Sequence, residues 1–216
     1  MSSEIIKVLQ EALGQTLYMV LLSTLFSVIL GFLLSVVLII TEDKGLKPNK
    51  AVYQTLDFII NTVRSFPFLI LMIVIFPLSR LIVGTSIGTS AAIVPLTIGA
   101  TPFAARILES AFKEVDYGII EAAKSFGATT SQIIFKVMLK EALPSMVMGI
   151  TLLVINLIGY SAMAGAIGGG GLGDVALKYG YYRFKTDIMI YTVIILIIIV
   201  QILQSIGTII YKKMIK

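Results

Sequence analysis

Residues 15–40 read QTLYMVLLSTLFSVILGFLLSVVLII, a run with no acid and no base in it. A helix of about 20 apolar residues crosses the hydrocarbon core of a bilayer, and this run is longer. It also exceeds the apolar region of a secretory signal. It ends at Thr41-Glu42-Asp43-Lys44-Gly45 without a small-residue cleavage pattern, so it is expected to be retained as a first span. Hydrocarbon leaves no partner for free backbone groups, so the run must be helical.

Four further stretches repeat the pattern. Asp, Glu, Lys and Arg are absent from 65–79, 81–105, 142–173 and 188–211, and together with 12–41 these runs fill more than half of the chain. The 216 residues are 57% hydrophobic and 13% charged, with mean hydropathy +1.00, against about 25% charged in soluble domains. The expected fold class is therefore all-α: a polytopic membrane protein forming one domain over 1–216. Its spans are expected near 15–40, 58–79, 91–112, 142–166 and 188–211, with a short turn at 80–90 around Gly84 and Gly88. Pro95 and Pro102 predict a kink in the third span. Charged residues return over 106–141, which reads as a hydrophilic insert too short to build its own core.

Composition excludes several chemistries. With no His and no Cys, zinc sites, haem ligation by His, thiol nucleophiles, disulfides and a Ser-His-Asp triad are unavailable. The net charge of +5 in a membrane protein reports orientation and contact with anionic lipid rather than nucleic acid. Five spans put the termini on opposite sides. With the C-terminus cytoplasmic, the inner side holds Lys44, Lys47, Lys50, Arg64, Arg106, Lys113, Lys124, Lys136, Lys140, Lys212, Lys213 and Lys216. The outer side holds only Lys7, Arg80, Lys178, Arg183 and Lys185. The positive-inside rule thus predicts an outer N-terminus in the cell membrane and a cytoplasmic insert.

Within the insert, Glu121-Ala122-Ala123-Lys124-Ser125-Phe126-Gly127 predicts a short helix. Asp116 is placed to cap its start, and Gly127 suits the left-handed residue that ends a helix. Thr129 and Gln132 have the spacing of a capping box for a second helix. Adjacent alanines allow close approach to another surface, and Glu121 offers a charge that orients it. Three readings fit this helix-turn-helix: a solvated hairpin, a DNA-binding motif with Ala123, Gly127 and Ile133 at the characteristic spacings, or a docking element. The second helix offers mostly Thr, Ser, Gln and Ile, and the insert has little room for a supporting third helix, which argues against DNA.

The insert resembles the Glu-Ala-Ala loop of the permease subunits of bacterial ABC importers: Glu-Ala-Ala, three residues, Gly, nine residues, then Ile-x-Leu-Pro. The first half matches fully. Val137 stands for Ile and Leu139 for Leu, while Lys140 occupies the proline position and a Leu143-Pro144 pair follows one turn later. The resemblance implies the type I importer permease fold, with Glu121, Ala122, Ala123 and Gly127 contacting a cytoplasmic ATPase.

The run Gly168-x-Gly170-x-x-Gly173 matches the dinucleotide fingerprint in letters, but a membrane helix precedes it where a strand is required. No Gly-x-x-x-x-Gly-Lys-Ser/Thr loop occurs in the chain, so ATP and Mg would be bound by a partner, and this chain would carry no cofactor and no catalytic residue. The glycines, with Gly165-x-x-x-Gly169, suit either close helix packing or a bending wall of a solute path. The block from Gly159 to Gly165, then Gly170-Gly171-Leu172-Gly173-Asp174 and Tyr179-Gly180-Tyr181, is similar to the permeases of methionine importers, and Arg64-Ser65-Phe66-Pro67 resembles an element of amino-acid permeases. These resemblances imply an amino-acid substrate, most specifically methionine. They also imply a second copy of the chain, two ATPase subunits and an external substrate-binding lipoprotein. A permease for another solute, a passive channel and an intramembrane enzyme are the alternatives.

Four residues are candidates for the pathway. Arg64, if its helix begins near Phe58, lies under two turns from the cytoplasmic face and can snorkel there; the alternative places it at the inner mouth of the path. Asp57, seven residues earlier, is too far for a direct pair. Tyr160, Ser161 and Met163 fall just before the glycine run. Met163 is the candidate closing residue because a thioether repacks readily, and facing lipid or another helix is the competing reading.

Overall fold

The computed structural model describes residues 3–215, in which every regular element is helical; Lys216 of the predicted inner set lies outside the described residues. The first helix, α1 (Ser3–Thr41), runs well beyond both ends of the charge-free stretch. A tight turn follows it, in which Lys47 N donates to Ile40 O at 2.9 Å and Asn49 N to Thr41 O at 2.9 Å. Asn49 then caps α2 (Lys50–Ser65), its side chain accepting from Val52 N at 3.2 Å.

Here the structure departs from the expected span at 58–79. Two helices, α2 and α3 (Phe68–Val83), meet at 107°. Pro67 has no N–H to continue the ladder, and a residue before proline is driven out of the helical region; Phe66 accordingly sits at φ −73°, ψ 134°. Apolar composition alone runs straight through this break. The helix also begins eight residues before Phe58, so Arg64 lies in the last turn of α2 rather than near its start, which removes the premise of the snorkelling reading.

The next helix, α4 (Thr89–Lys113), is the central element, and most of its apolar window is buried. Pro95 and Pro102 lie within it without ending it. Its crossing with α1 is close because Gly31 faces Ala104: a methyl at Gly31 would lie 2.6 Å from the Ala104 Cβ. Ser27 Oγ adds a bond to Thr97 O at 3.2 Å, a polar link of the kind that joins helices in lipid.

The insert carries α5 (Tyr117–Ser125) and α6 (Thr130–Gln132). No break separates the insert from the fourth span, contrary to the boundary expected at 142. A π-helical turn over Ile133–Met138 joins α6 to α7 (Leu139–Ala166), making one helical run over Thr130–Ala166. The charge of Lys136, Lys140 and Glu141 marks a change of solvent, not of backbone. Pro144, too, lies inside α7.

After α7 the glycine run turns the chain back on itself into α8 (Gly171–Val175) and a second π-helical turn, Ala176–Tyr181. Gly168, Gly170 and Gly171 have φ of 93°, 76° and 80°, which side chains rarely adopt. Gly165 and Gly173 lie so close to the opposing backbone that a Cβ at either would overlap Asp174 N or Ala162 O. The first amides of α8 are satisfied from α1: Gly171 N donates to Gln15 Oε1 at 2.8 Å and Leu172 N to Thr16 Oγ1 at 2.9 Å. The glycines thus form a packed return. The final helix, α9 (Thr186–Ile215), runs back along α7, with Gly207 against Thr151.

Among the described residues, four helices are each long and apolar enough to cross a membrane, and α2 with α3 reach that length and apolarity only as a bent pair. Leu9 and Ala12 of α1 pack with Leu172, Val175 and Ile188 at the glycine end, whereas Ile39 packs with Phe112, Ile120 and Ile133 at the insert end. The α9 helix starts at the glycine end and rises about 45 Å over its 30 residues, so the start of α1 and the end of α9 lie at opposite ends of the bundle.

Candidate functional site

The α5 hairpin is built by local chemistry. Asp116 Oδ1 accepts from Gly118 N at 2.6 Å and fixes the start. At the other end Gly127, φ 76°, donates to Lys124 O at 2.9 Å, and Ala128 N donates to Ala123 O at 3.1 Å. This pair of bonds with a left-handed residue between them closes a helix C-terminus. Thr129 and Gln132 form the reciprocal capping box of the next helix. The two alanines divide between faces. Ala123 is half-buried and, with Ile120, joins α5 to the apolar cluster that holds Leu108 and Phe112 of α4 and Ile133, Ile134 and Met138 of the π-helical turn, the element α5 lies along. Glu121, Ala122 and Gly127 are exposed.

Phe126, which the sequence reading passed over, is 91% exposed, and with Ile119 and Ala122 it makes an apolar stripe at positions three and four residues apart. A stripe of this kind, with an exposed aromatic ring at its end, has the chemistry of a contact surface. The available signal was an aromatic residue directly before a helix-ending glycine inside a charged segment.

About 37 Å of α4 separates this end from the glycine return. Beside the break at Phe66-Pro67 lies a cavity of about 180 Å³, lined by Arg64, Phe66 and Phe68 on one side and by Gly99, Phe103 and Tyr160 on the other. The Phe68 and Tyr160 rings stack with centroids 4.0 Å apart at 9°. Arg64 and Tyr160 therefore share one wall system, although 96 residues separate them in sequence. Ser161 points elsewhere: it is 2% exposed and donates to Ile158 O at 2.7 Å. Met163 is 47% exposed on the surface of the single chain and does not line this cavity. Asp57 is engaged away from Arg64, in an ion pair with Arg106 of α4. Among the described residues, no three acidic residues gather as a metal-ligating group would.

Comparison with known proteins fits this arrangement. Residues 27–216 match the family described as binding-protein-dependent transport system inner membrane component. A relative from Vibrio cholerae, the probable D-methionine transport system permease protein MetI, is 51% identical over 206 residues, covering 95% of this chain and 92% of the relative. The methionine import system permease protein MetP of Bacillus subtilis is 50% identical over 196 residues, 91% and 88% of the two chains. Among solved structures, an inward-facing conformation of the MetNI methionine ABC transporter contains a chain that is 42% identical, superposes with a TM-score of 0.97 and covers 99% of both chains.

Proposed function

This chain belongs to the family of binding-protein-dependent transport system inner membrane components, and on that premise we propose that it is the permease subunit of an ATP-driven importer carrying methionine across the cell membrane. It is a membrane subunit and not itself the ATPase. Two copies line the solute path, two cytoplasmic ABC ATPases bind ATP and Mg, and an external lipoprotein delivers the amino acid. The observation that carries this reading is the exposed face of α5, with Glu121, Ala122 and Phe126 turned outward on a helix fixed at both ends. Such a face transmits force only if a partner grips it. ATP binding and hydrolysis in that partner displace α5 and with it the ends of α4 and α7.

The methionine assignment rests on methionine permeases near half-identical to this chain. The excess of Lys and Arg at the insert end supports a cytoplasmic C-terminus and an outer N-terminus. Contacts of Glu121, Ala122, Ala123 and Gly127 with the ATPase, and of Arg64, Tyr160, Ser161 and Met163 with the path or its gate, belong to the same proposal. Ser161 faces the chain's own backbone here, so its part would be to shape the helix beside Tyr160.

The test is reconstitution of the complex with its ATPase and binding protein in proteoliposomes, measuring ATP-dependent uptake of labelled L- and D-methionine beside other amino acids. Uptake of methionine in preference to the others is expected. Preference for another amino acid removes the substrate assignment, and solute flux indifferent to ATP removes the importer.

A further inference from the structure

Arg106, Glu109 and Lys113 lie on one side of the last turns of α4 and tie three helices together. The Arg106 guanidinium pairs with Asp57 of α2, and with Glu109 at 2.7 Å. Lys113 Nζ reaches Glu109 at 2.7 Å and Glu42, beyond the end of α1, at 3.0 Å. Tyr53 of α2 donates its hydroxyl to Glu109 Oε1 at 3.3 Å. The Glu109 side chain is only 3% exposed. A carboxylate so withdrawn from water is held by the donors that surround it, and removing one of them leaves the rest uncompensated.

Apolar contacts also hold α2, whose half-buried Tyr53 and Leu56 pack on the cluster of Leu38 and Ala105. Its one buried residue is Ile60, packed with Leu38 and Ala105. The same stretch of α4 contributes Leu108 and Phe112 to the apolar cluster that Ile120 of α5 enters, and α5 begins four residues after Lys113. The end of α4 therefore carries the docking helix and grips α2 through charges. Two turns beyond Asp57, about 10 Å along α2, Arg64 stands at the cavity, immediately before the break at Phe66-Pro67. A helix held by one apolar patch, Tyr53, Leu56 and Ile60, and by an ionic seam can turn about that patch while its charges re-pair.

We propose that Arg106, Glu109 and Lys113 are positioning residues that make α2 follow the docking helix, so that displacement of α5 is delivered to the Phe66-Pro67 break and moves Arg64 at the cavity wall. This rests on α5 being the element that the ATPase grips.

The experiment uses the assembled complex in nanodiscs, with spin labels on cysteines at Gln54 of α2 and Leu81 of α3 in one copy of the dimer; both positions are exposed and the chain has no native cysteine. Binding of a non-hydrolysable ATP analogue with Mg is expected to shift the Gln54–Leu81 distance. In Asp57→Asn the shift should vanish and solute uptake per ATP hydrolysed should fall about tenfold, within the usual range of coupling between sites. Asp57→Glu should restore both. Glu121→Lys serves as the control for docking. If Glu121→Lys abolishes solute-stimulated hydrolysis while Asp57→Asn keeps a wild-type distance change and coupling ratio, the clamp is overturned and the importer reading stands. Full activity in both variants overturns the docking role of α5 and the clamp with it. Loss of the shift in Asp57→Asn without rescue by Asp57→Glu also counts against the clamp.

Discussion

Replacing Gly127 isolates the conformational cost of the turn that ends α5. Its φ is 76°, yet a Cβ built on it meets no atom within 4 Å, so a side chain there is penalised by backbone strain and not by crowding. For an ordinary L-residue the left-handed region costs about 1–2 kcal/mol, while Asn visits it readily. A β-branched residue belongs at the upper end of that range. The expected order is Gly and Asn together, then Ala, then Val. An energy of 1–2 kcal/mol lowers the population of the closed turn by a factor of about 5–30. Because α5 enters the core through Ile120 and Ala123, the penalty falls on placement of its exposed face rather than on the bundle. Gly127→Val should therefore insert and fold like the parent while affinity for the ATPase and ATP-driven uptake fall by roughly that factor. The assay is a titration of ATPase onto detergent-purified permease, paired with uptake in proteoliposomes. Equal affinities for the Asn and Val variants would refute the reasoning, since the two differ chiefly in tolerance of positive φ.

Three further outcomes are expected. Cysteines at Ser131 and Lys213 should resist a membrane-impermeant thiol reagent in intact cells and react after permeabilisation; labelling of Ser131→Cys from outside reverses the topology. If Met163 closes the path, Met163→Cys should crosslink to its own copy across the dimer in a nucleotide-dependent way; no crosslink in either state, with full uptake by Met163→Ala, removes it from the gate. Gly165→Val should lower thermal stability by several kcal/mol, because its Cβ overlaps the backbone of Asp174 and strain of this kind lies in the large-effect tail of substitutions; unchanged melting in detergent would show that the return at Gly168–Gly171 yields.

The helical membrane fold, the caps and the turn at Gly127 were legible in sequence because each depends on neighbours in the chain. Apolar length fixes that a segment crosses a bilayer, and Asp116, Gly127 and the Thr129-Gln132 pair act within a turn of themselves, so Gly127 is found at φ 76° and the capping box is closed. Pro67 was visible too, but hydropathy averages over it; the steric effect of one proline on Phe66 divides what composition joins. Charge likewise misled at 142, since a helix does not end where its solvent changes. What the tertiary structure decided are relations between distant segments. Only packing brings Tyr160 to Arg64, separates Ala122 from Ala123 by face, and leaves Phe126 in water. Asp57 pairs with Arg106 across 49 residues of sequence because α2 and α4 cross there, and no spacing rule can express that. Local sequence sets dihedral angles, while which faces meet depends on the whole set of crossings, where Gly31 admits Ala104 and Gly173 admits the backbone of α7.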